Sequence, residues 1–135
     1  MKILNTTQIR ELDAYTIAHE PIASVKLMER AAETFCSWFV EKFPDQNAPL
    51  HIFCGTGNNG GDGLAVARML HYAFYEVTLY ICHLSPNQSA DFQKNIERLP
   101  EFEAITVIDI SEGSALPPLP TYGILIDALL GTGVS

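Results

Sequence analysis

The sequence predicts an α/β fold built on a parallel sheet, and two observations support this prediction. Runs rich in β-forming residues alternate with helix-like runs of about ten residues or more, which is typical of βαβ units. A ten-residue stretch, Cys54–Gly63, contains five glycines, two asparagines and one aspartate, and it lies between an apolar run and a helix-like run. A strand, a glycine loop and a helix start in this order are typical of a phosphate-binding site.

The composition excludes several classes of protein. A length of 135 residues suits one domain, and 47% hydrophobic with 18% charged residues is typical of a globular protein. The net charge of −8 argues against general nucleic-acid binding, which needs a basic stripe. No secretory signal is visible, and no apolar run approaches the ~20 residues of a membrane helix. We therefore expect a cytoplasmic protein without nucleic-acid or membrane partners.

The cysteine pattern agrees with this expectation. Cys36, Cys54 and Cys82 form no CxxC pair, and each falls within a predicted helix or at the end of a predicted strand. Such positions predict buried free thiols in a reducing compartment, rather than a disulfide or a catalytic nucleophile.

Two helices are predicted before the first strand. Thr6 or Thr7 is a candidate N-cap for the first helix, and Ser24 is the candidate N-cap for a longer helix that reaches about Phe43. Apolar residues recur at three- and four-residue spacing along the longer helix and predict a wide buried face. Trp38 belongs to this predicted core face.

The remaining predictions concern the polar residues of the longer helix and the bounds of the strands and helices that follow it. Glu29 and Arg30 are interpreted as a solvated face of that helix. Ser85 and Pro86 are typical of a helix opening, with the serine as N-cap. The predicted strands are 50–54, 76–82, 105–110 and 123–127, and the intervening helices run from about 61 to 72 and from 85 to 99.

The glycine loop fits the pattern GxGxxG through Gly55, Gly57 and Gly60. We expect its glycines to adopt positive φ angles and to let the backbone approach a ligand closely. The usual companion of this pattern is an acidic residue after the second strand, which binds a ribose hydroxyl. No acidic residue occurs in the corresponding stretch, Leu79–His83, which counts against a standard NAD-dependent dehydrogenase.

Further candidate site residues follow the strands. Asp62 is interpreted either as a helix-cap aspartate or as a functional carboxylate. Asp127 ends the fourth strand and precedes a second glycine loop, and His83 follows the second strand. Because the carboxyl ends of parallel strands meet at one edge of a sheet, we expect the two glycine loops to be neighbours there. Two carboxylates near one pocket could perform acid–base chemistry or hold a cation.

The sequence resembles the YjeF N-terminal-domain family, the NAD(P)H-hydrate epimerases, in motifs that occur in the family's order. The combination of the GNNGGDG and DALLGTG segments is specific, and the resemblance extends over essentially the whole chain. The motifs are Leu27–Ala32, Gly57–Gly63, Ser89–Asp91 with Asn95, and Asp127–Gly133.

The resemblance implies a Rossmann-like α/β/α sandwich with a mainly parallel sheet. It implies an isomerase that epimerises the (R)- and (S)-hydrates of NADH and NADPH, which are damaged cofactors with water added across a ring double bond. It also implies that the domain continues beyond Ser135. We therefore expect residues 1–135 to be an incomplete epimerase domain, truncated at its C-terminus, that can be inactive by itself.

The resemblance also implies a set of site residues. One potassium ion per subunit would be held by Asn59 and Asp127, and an acidic residue and a serine further along the chain would complete its site. We assign proton transfer to Asp62, because the cation would occupy Asp127. The implied substrate-binding residues are Asn58, Asn59, Gly60, Gly61 and Asp62 in the first loop and Gly131, Thr132, Gly133, Val134 and Ser135 in the second.

Two alternatives to the epimerase stay open. The first is a non-catalytic module of the same fold that binds a nucleotide or a protein, or that dimerises; the intact NNGGDG segment disfavours it. The second is a hydride-transferring dehydrogenase, which the missing acid disfavours. A homodimer and a hydrate dehydratase, either fused or separate, are the protein partners that the sequence leaves open.

Overall fold

The described part of the chain forms a four-stranded parallel sheet with helices packed against it, as the sequence predicts. The structure, a computed structural model, describes residues 3–19, 23–99 and 104–131. Each predicted strand is correct to within one residue at either end. The helices are α1 (Thr6–His19), α2 (Ser24–Lys42), α3 (Asn58–Tyr72) and α4 (Ala90–Glu97), and the strands are β1 (Leu50–Cys54), β2 (Val77–His83), β3 (Thr106–Ser111) and β4 (Ile124–Ala128).

The sheet has the strand order β3-β2-β1-β4, and all three pairings are parallel. In the register, Cys54 at the end of β1 lies opposite Ile81 of β2 on one side and Ala128 of β4 on the other. The carboxyl ends of β1 and β4 therefore meet at the same edge. The glycine loop after β1 and the segment after β4 begin side by side there, which confirms the predicted neighbourhood.

Helix α2 forms the outer part of the core, but its buried face is narrower than predicted. Its buried residues repeat every three or four positions and contact α3. Trp38 lies one position before the buried Phe39, about 100° around the helix, and is 49% exposed. The prediction that Trp38 is a core residue is therefore wrong. The buried residues of α2 are Val25, Met28, Ala32, Cys36 and Phe39.

Glu29 connects the three packed helices and is not part of a solvated face, in contrast to the prediction. One of its carboxylate oxygens pairs with Arg68 of α3. The other accepts a hydrogen bond from Arg98 Nη1 at 3.4 Å, just after α4. Arg30, the next residue, is exposed as predicted.

The opposite face of the sheet carries aromatic and aliphatic side chains. Alternation along the strands directs Ile52 of β1 toward the helices and Phe53 away from them. Phe53 stacks on Tyr80 of β2 with ring centroids 4.2 Å apart. Leu125 of β4 is 58% exposed. Among the described elements, α2, α3 and α4 all pack against one another and so lie on the same side of the sheet.

Two helix starts differ from the predicted caps. Asn5, rather than Thr6 or Thr7, caps α1: its side-chain oxygen accepts a hydrogen bond from Gln8 N at 2.9 Å, and Gln8 Oε1 accepts one from Asn5 N at 3.1 Å. This reciprocal pair is a capping box. Ser24 does not cap α2, because Ala23 occupies the N-cap position and the Ser24 hydroxyl donates to Asp91 Oδ1 at 3.1 Å.

Helix α4 begins later than predicted. Ser89, not Ser85, is its N-cap and accepts a hydrogen bond from Phe92 N at 3.0 Å. Ser85 instead accepts a hydrogen bond from Asn87 N at 3.2 Å within the preceding turn. The local Ser-Pro signal is satisfied by a turn, and the chain reaches the helix four residues later.

Helix α1 lies on the surface. Its Leu12 is 53% exposed and Tyr15 is 60% exposed. Within the part of the chain that the structure describes, no helix is long and apolar enough to cross a membrane.

Gly60 and Gly63 of the loop serve close packing rather than positive φ angles. The described glycines with positive φ are Gly113 and Gly123, so the prediction of positive φ angles in the loop is wrong. A Cβ atom on Gly60 would overlap the carbonyl oxygen of Gly55. A Cβ atom on Gly63 would lie 2.6 Å from Cys54 Sγ and 2.7 Å from Ala128 Cβ. The absent side chains let α3 begin directly against the ends of β1 and β4.

Because of this packing, we expect alanine to destabilise the protein much more at Gly60 than at Gly57. We expect Gly60→Ala to lower the free energy of unfolding by about 3 kcal/mol or more, because its methyl group would meet backbone that cannot yield. A Cβ atom on Gly57 would have no neighbour within 4 Å, so Gly57→Ala is the matched control. Its expected cost is under about 1 kcal/mol. Urea unfolding of both variants measures the difference, and equal midpoints would contradict the packing role of Gly60.

Candidate functional site

The candidate site begins at the first turn of α3. The helix starts at Asn58, about one turn earlier than predicted, so the asparagines and glycines of the loop are helical residues. Its N-cap is Gly57, which has no side chain with which to cap the helix. The first amides of a helix have no partners within it and favour an anion through the helix dipole. The amides of Asn58, Asn59 and Gly60 are therefore donors suited to a phosphate group.

One hydrogen bond connects the loop after β1 to the end of β4, and a second connects the first turn of α3 to the segment after β4. Gly55 N donates to Ala128 O at 3.1 Å, and the side-chain amide of Asn59 donates to Leu130 O at 2.9 Å. A Cβ atom on Gly131 would lie 2.9 Å from Asn59 Cβ, so glycine is needed for this approach. The structure thus brings Gly131 to the first loop. The other predicted residues of the second loop, Thr132, Gly133, Val134 and Ser135, lie outside the described residues.

Thr56 is a structural member of the site that sequence reasoning did not identify. It is buried, its hydroxyl donates to Asn87 O at 2.9 Å, and its carbonyl oxygen accepts from Ser89 N at 3.0 Å. These two hydrogen bonds hold the segment before α4 against the loop after β1. The available signal was its position as the one hydroxyl residue among the glycines and asparagines of the loop.

Asp62 does not cap the helix. It is the fifth residue of α3, so the interpretation of Asp62 as a cap aspartate is wrong. Its carboxyl group is partly buried, and its pKa is raised to about 6 from an ordinary value of 3.8. Burial is the largest cause of this increase, and the carboxylates of Asp13 on α1 and Asp91 on α4 contribute to it. Sequence reasoning did not connect these two residues with Asp62.

Asp127 lies in a different environment from Asp62. It is exposed, and its Oδ1 accepts a hydrogen bond from Leu129 N at 2.9 Å. It is paired in register with Phe53, and alternation puts it on the face of the sheet away from α3. The carboxylates that act on Asp62 are Asp13 and Asp91 rather than Asp127. Asp127 therefore fills the role of a turn aspartate while keeping its second carboxylate oxygen for another partner.

Asn59 and Asp127 offer the atoms that a hard cation prefers. The amide nitrogen of Asn59 is used toward Leu130 O, which leaves its carbonyl oxygen as an acceptor. Asp127 contributes its second carboxylate oxygen. These oxygens suit a hard cation in kind, although such cations take about six to eight ligands. Within residues 3–19, 23–99 and 104–131, no three His, Cys, Asp or Glu side chains group into a metal site.

His83 is the last residue of β2 and lies beside a cavity. The cavity has a volume of about 310 Å³ and is lined by His83, Ser85 and Glu112, among others. His83 Nε2 lies 2.8 Å from Asp109 Oδ1 of β3. The position of the ribose-binding acid in a dinucleotide site is thus filled by a histidine paired with a neighbouring carboxylate.

The cysteines are structural, as predicted. All three are buried free thiols. Burial raises the pKa of Cys36 to about 11 and that of Cys54 to about 12. Both side chains are therefore protonated at neutral pH and are poor nucleophiles.

Two named proteins are similar in sequence to this chain over nearly its whole length. The chain is 35% identical over 98% of its length to the NAD(P)H-hydrate epimerase of Limosilactobacillus reuteri, of which it covers 60%. It is 31% identical to the bifunctional NAD(P)H-hydrate repair enzyme Nnr of Dictyoglomus turgidum, covering 99% of this chain and 26% of that protein. It thus spans about 60% of the length of the epimerase relative.

A solved structure is similar to this chain in fold, and a family model matches most of its sequence. The crystal structure of yeast ynu0 superimposes with a TM-score of 0.77 and 21% identity, covering 100% of this chain and 59% of that one. This similarity shows the shared α/β fold. The family described as YjeF-related protein N-terminus matches residues 24–135. The chain therefore belongs to the YjeF-related N-terminal family.

Proposed function

We propose that this protein is an NAD(P)H-hydrate epimerase acting in the repair of damaged nicotinamide cofactors. The observation that carries the proposal is the uncapped first turn of α3, joined by Asn59 to the segment after β4. It supplies amide donors for a diphosphate at the carboxyl edge of the sheet, where α/β proteins bind nucleotides. The epimerase names of several relatives support the same activity.

The substrate would lie across the two loops. The amides of Asn58, Asn59 and Gly60 would contact its diphosphate through the first turn of α3. Gly61 would lie beside it, since its own amide donates to Gly57 O at 3.0 Å. The second loop, from Gly131 to Ser135, would provide the other side of the site. Gly131 lies beside Asn59 and supports this arrangement.

A potassium ion is part of the proposal. Asn59 and Asp127 would hold it through the carbonyl oxygen and the free carboxylate oxygen described above. When bound, the ion would offset the negative charge of the diphosphate in a protein whose net charge is −8.

Asp62 is the residue that we propose as the proton carrier. Epimerisation requires that a bond to the hydrated ring carbon break and form again on the other face. A carboxyl group can donate a proton to a departing hydroxyl group and take it back when water returns. A pKa raised to about 6 lets Asp62 exist in both protonation states near neutral pH.

The hydrate dehydratase remains a proposed partner. One relative is named as a bifunctional repair enzyme, which supports a second repair activity beside the epimerase. Mixing the full-length protein with a dehydratase that accepts only one epimer tests this link. We expect an equal mixture of the two epimers to be consumed completely, and half-consumption would contradict the proposal.

The raised pKa of Asp62 predicts a pH dependence of stability. The folded protein holds this proton more tightly than the unfolded chain, so stability falls as the pH rises from about 4 to about 6. Asp62→Asn removes the fall, and we expect it to raise the free energy of unfolding at pH 7 by about 1–2 kcal/mol, allowing for solvent screening. Below about pH 4 the gain should vanish. Urea unfolding of the wild-type protein and of Asp62→Asn, from about pH 4 to about pH 7, measures this difference in the free energy of unfolding.

The control for this measurement is Glu41→Gln, which removes a carboxylate from an exposed position of α2. Its stability should follow the wild-type pH curve. Parallel curves for wild type and Asp62→Asn would contradict the raised pKa.

The catalytic role of Asp62 is tested by turnover. In the full-length protein we expect Asp62→Asn to slow the conversion of (R)- to (S)-hydrate by about 10²–10⁴-fold, because asparagine cannot transfer the proton. Chromatographic separation of the two epimers measures the rate. Glu41→Gln should retain the wild-type rate, and unchanged turnover in Asp62→Asn would overturn the assignment.

The potassium proposal is tested by thermal unfolding. A bound ion stabilises the folded state, so replacing sodium with potassium should raise the Tm of the full-length protein by about 2–4 °C. Asp127→Asn should remove this difference while its side-chain oxygen still accepts from Leu129 N. Asp45→Asn is the control and should keep it. Equal Tm values in both salts for the wild-type protein would contradict the site.

A further inference from the structure

A second polar cavity lies on the helical layer, away from the glycine loop. Its volume is about 400 Å³, and it is lined by Lys26, Glu29, Arg68, Tyr72 and Arg98. Arg68 is ten residues beyond the start of α3, which corresponds to about 15 Å along the helix. The cavity is therefore separate from the first turn of α3 and from the edge of the sheet.

The lining concentrates positive charge on an acidic protein. Three of the eight lysine and arginine residues of the chain line this one cavity, while the net charge of the protein is −8. The single carboxylate of the lining, Glu29, is shared between Arg68 and Arg98. Among the described residues, no carboxylate pairs with Lys26. The cavity thus has two more positive charges than negative ones.

The hydrogen-bonding groups of the lining are not fully used. Arg68 Nε is buried and has no acceptor in the described part of the chain. A buried donor without a partner is costly, so Arg68 adds an unsatisfied group to this part of the helical layer. Each oxygen of Glu29 is directed to one arginine, so both guanidinium groups keep further N–H donors. Arginine donors of this kind match the oxygens of a phosphate group.

We propose that this cavity, formed by α2, α3 and the end of α4, is a second anion site that binds a diphosphate group. A diphosphate carries enough charge to balance the excess of the lining and enough oxygens to engage Lys26, Arg68 and Arg98 together. Tyr72 is 64% exposed at the cavity, so its ring is accessible to a base. The diphosphate could belong to pyrophosphate or to a nucleoside diphosphate.

The test uses the full-length protein with pyrophosphate and ADP as probes. Calorimetric titration should give a dissociation constant that Lys26→Gln and Arg98→Gln each weaken by about tenfold, since each removes a charge-assisted contact. Lys94→Gln, an exposed charge on α4 outside the lining, is the matched control and should leave the affinity unchanged. Arg98 makes one 3.4 Å ion pair near the surface, so its variant is expected to fold.

Amide chemical shifts separate this site from the glycine loop. Pyrophosphate should shift the amides of residues 68–72 and 98 in the wild-type protein, and the same shifts in Arg98→Gln should need about tenfold more pyrophosphate. Shifts confined to residues 58–61, or equal affinities for Arg98→Gln and Lys94→Gln, would overturn the proposal. Binding at the proposed epimerase site is measured separately, by the amide shifts of residues 58–61. Absence of binding at one site therefore leaves the proposal for the other site testable.

Tyr72→Ala distinguishes the two sources of the diphosphate. Weaker binding of ADP with unchanged binding of pyrophosphate would support a nucleoside diphosphate as the ligand. Unchanged binding of both probes would support pyrophosphate itself. Loss of binding for both, in a variant that remains folded, would contradict a site whose affinity comes from the three cations.

Discussion

The close approach of α3 to the ends of β1 and β4 is the constraint on which the rest of the structure depends. Gly60 lies so near the carbonyl oxygen of Gly55 that no side chain fits between them, and Gly63 lies against Cys54 and Ala128 in the same way. This contact sets where the first amides of α3 are held relative to the sheet. It also brings Asn59 within hydrogen-bonding distance of Leu130 O. The proposed diphosphate site and the proposed cation site therefore both depend on this close packing of α3 against the sheet.

The electrostatics of the site follow from the same placement. Helices α1 and α4 bring the carboxylates of Asp13 and Asp91 toward Asp62, which is itself partly buried. Burial and like charge both disfavour the ionised form, and together they raise the pKa of Asp62. The ionised carboxylate of Asp62 therefore lowers the free energy of unfolding at neutral pH. The cost in stability is consistent with a functional carboxyl group.

Local patterns predicted much of the fold because each strand is a short run of β-formers between breakers. The sequence could not predict contacts between distant residues. The start of α4 at Ser89 is set by hydrogen bonds to Thr56, so the nearer Ser85 signal was misleading. Glu29 appeared solvated because its partners, Arg68 and Arg98, are about forty or more residues away. Likewise, a glycine-rich sequence does not distinguish positive φ from close packing, and only the structure shows the latter.

We propose that the first turn of α3 holds the diphosphate of a hydrated nicotinamide nucleotide. A crystal structure of the full-length protein with NADH hydrate tests this proposal most directly. We expect diphosphate oxygens within about 3.2 Å of the amide nitrogens of Asn58, Asn59 or Gly60. A diphosphate bound elsewhere, with these amides facing only solvent, would contradict it.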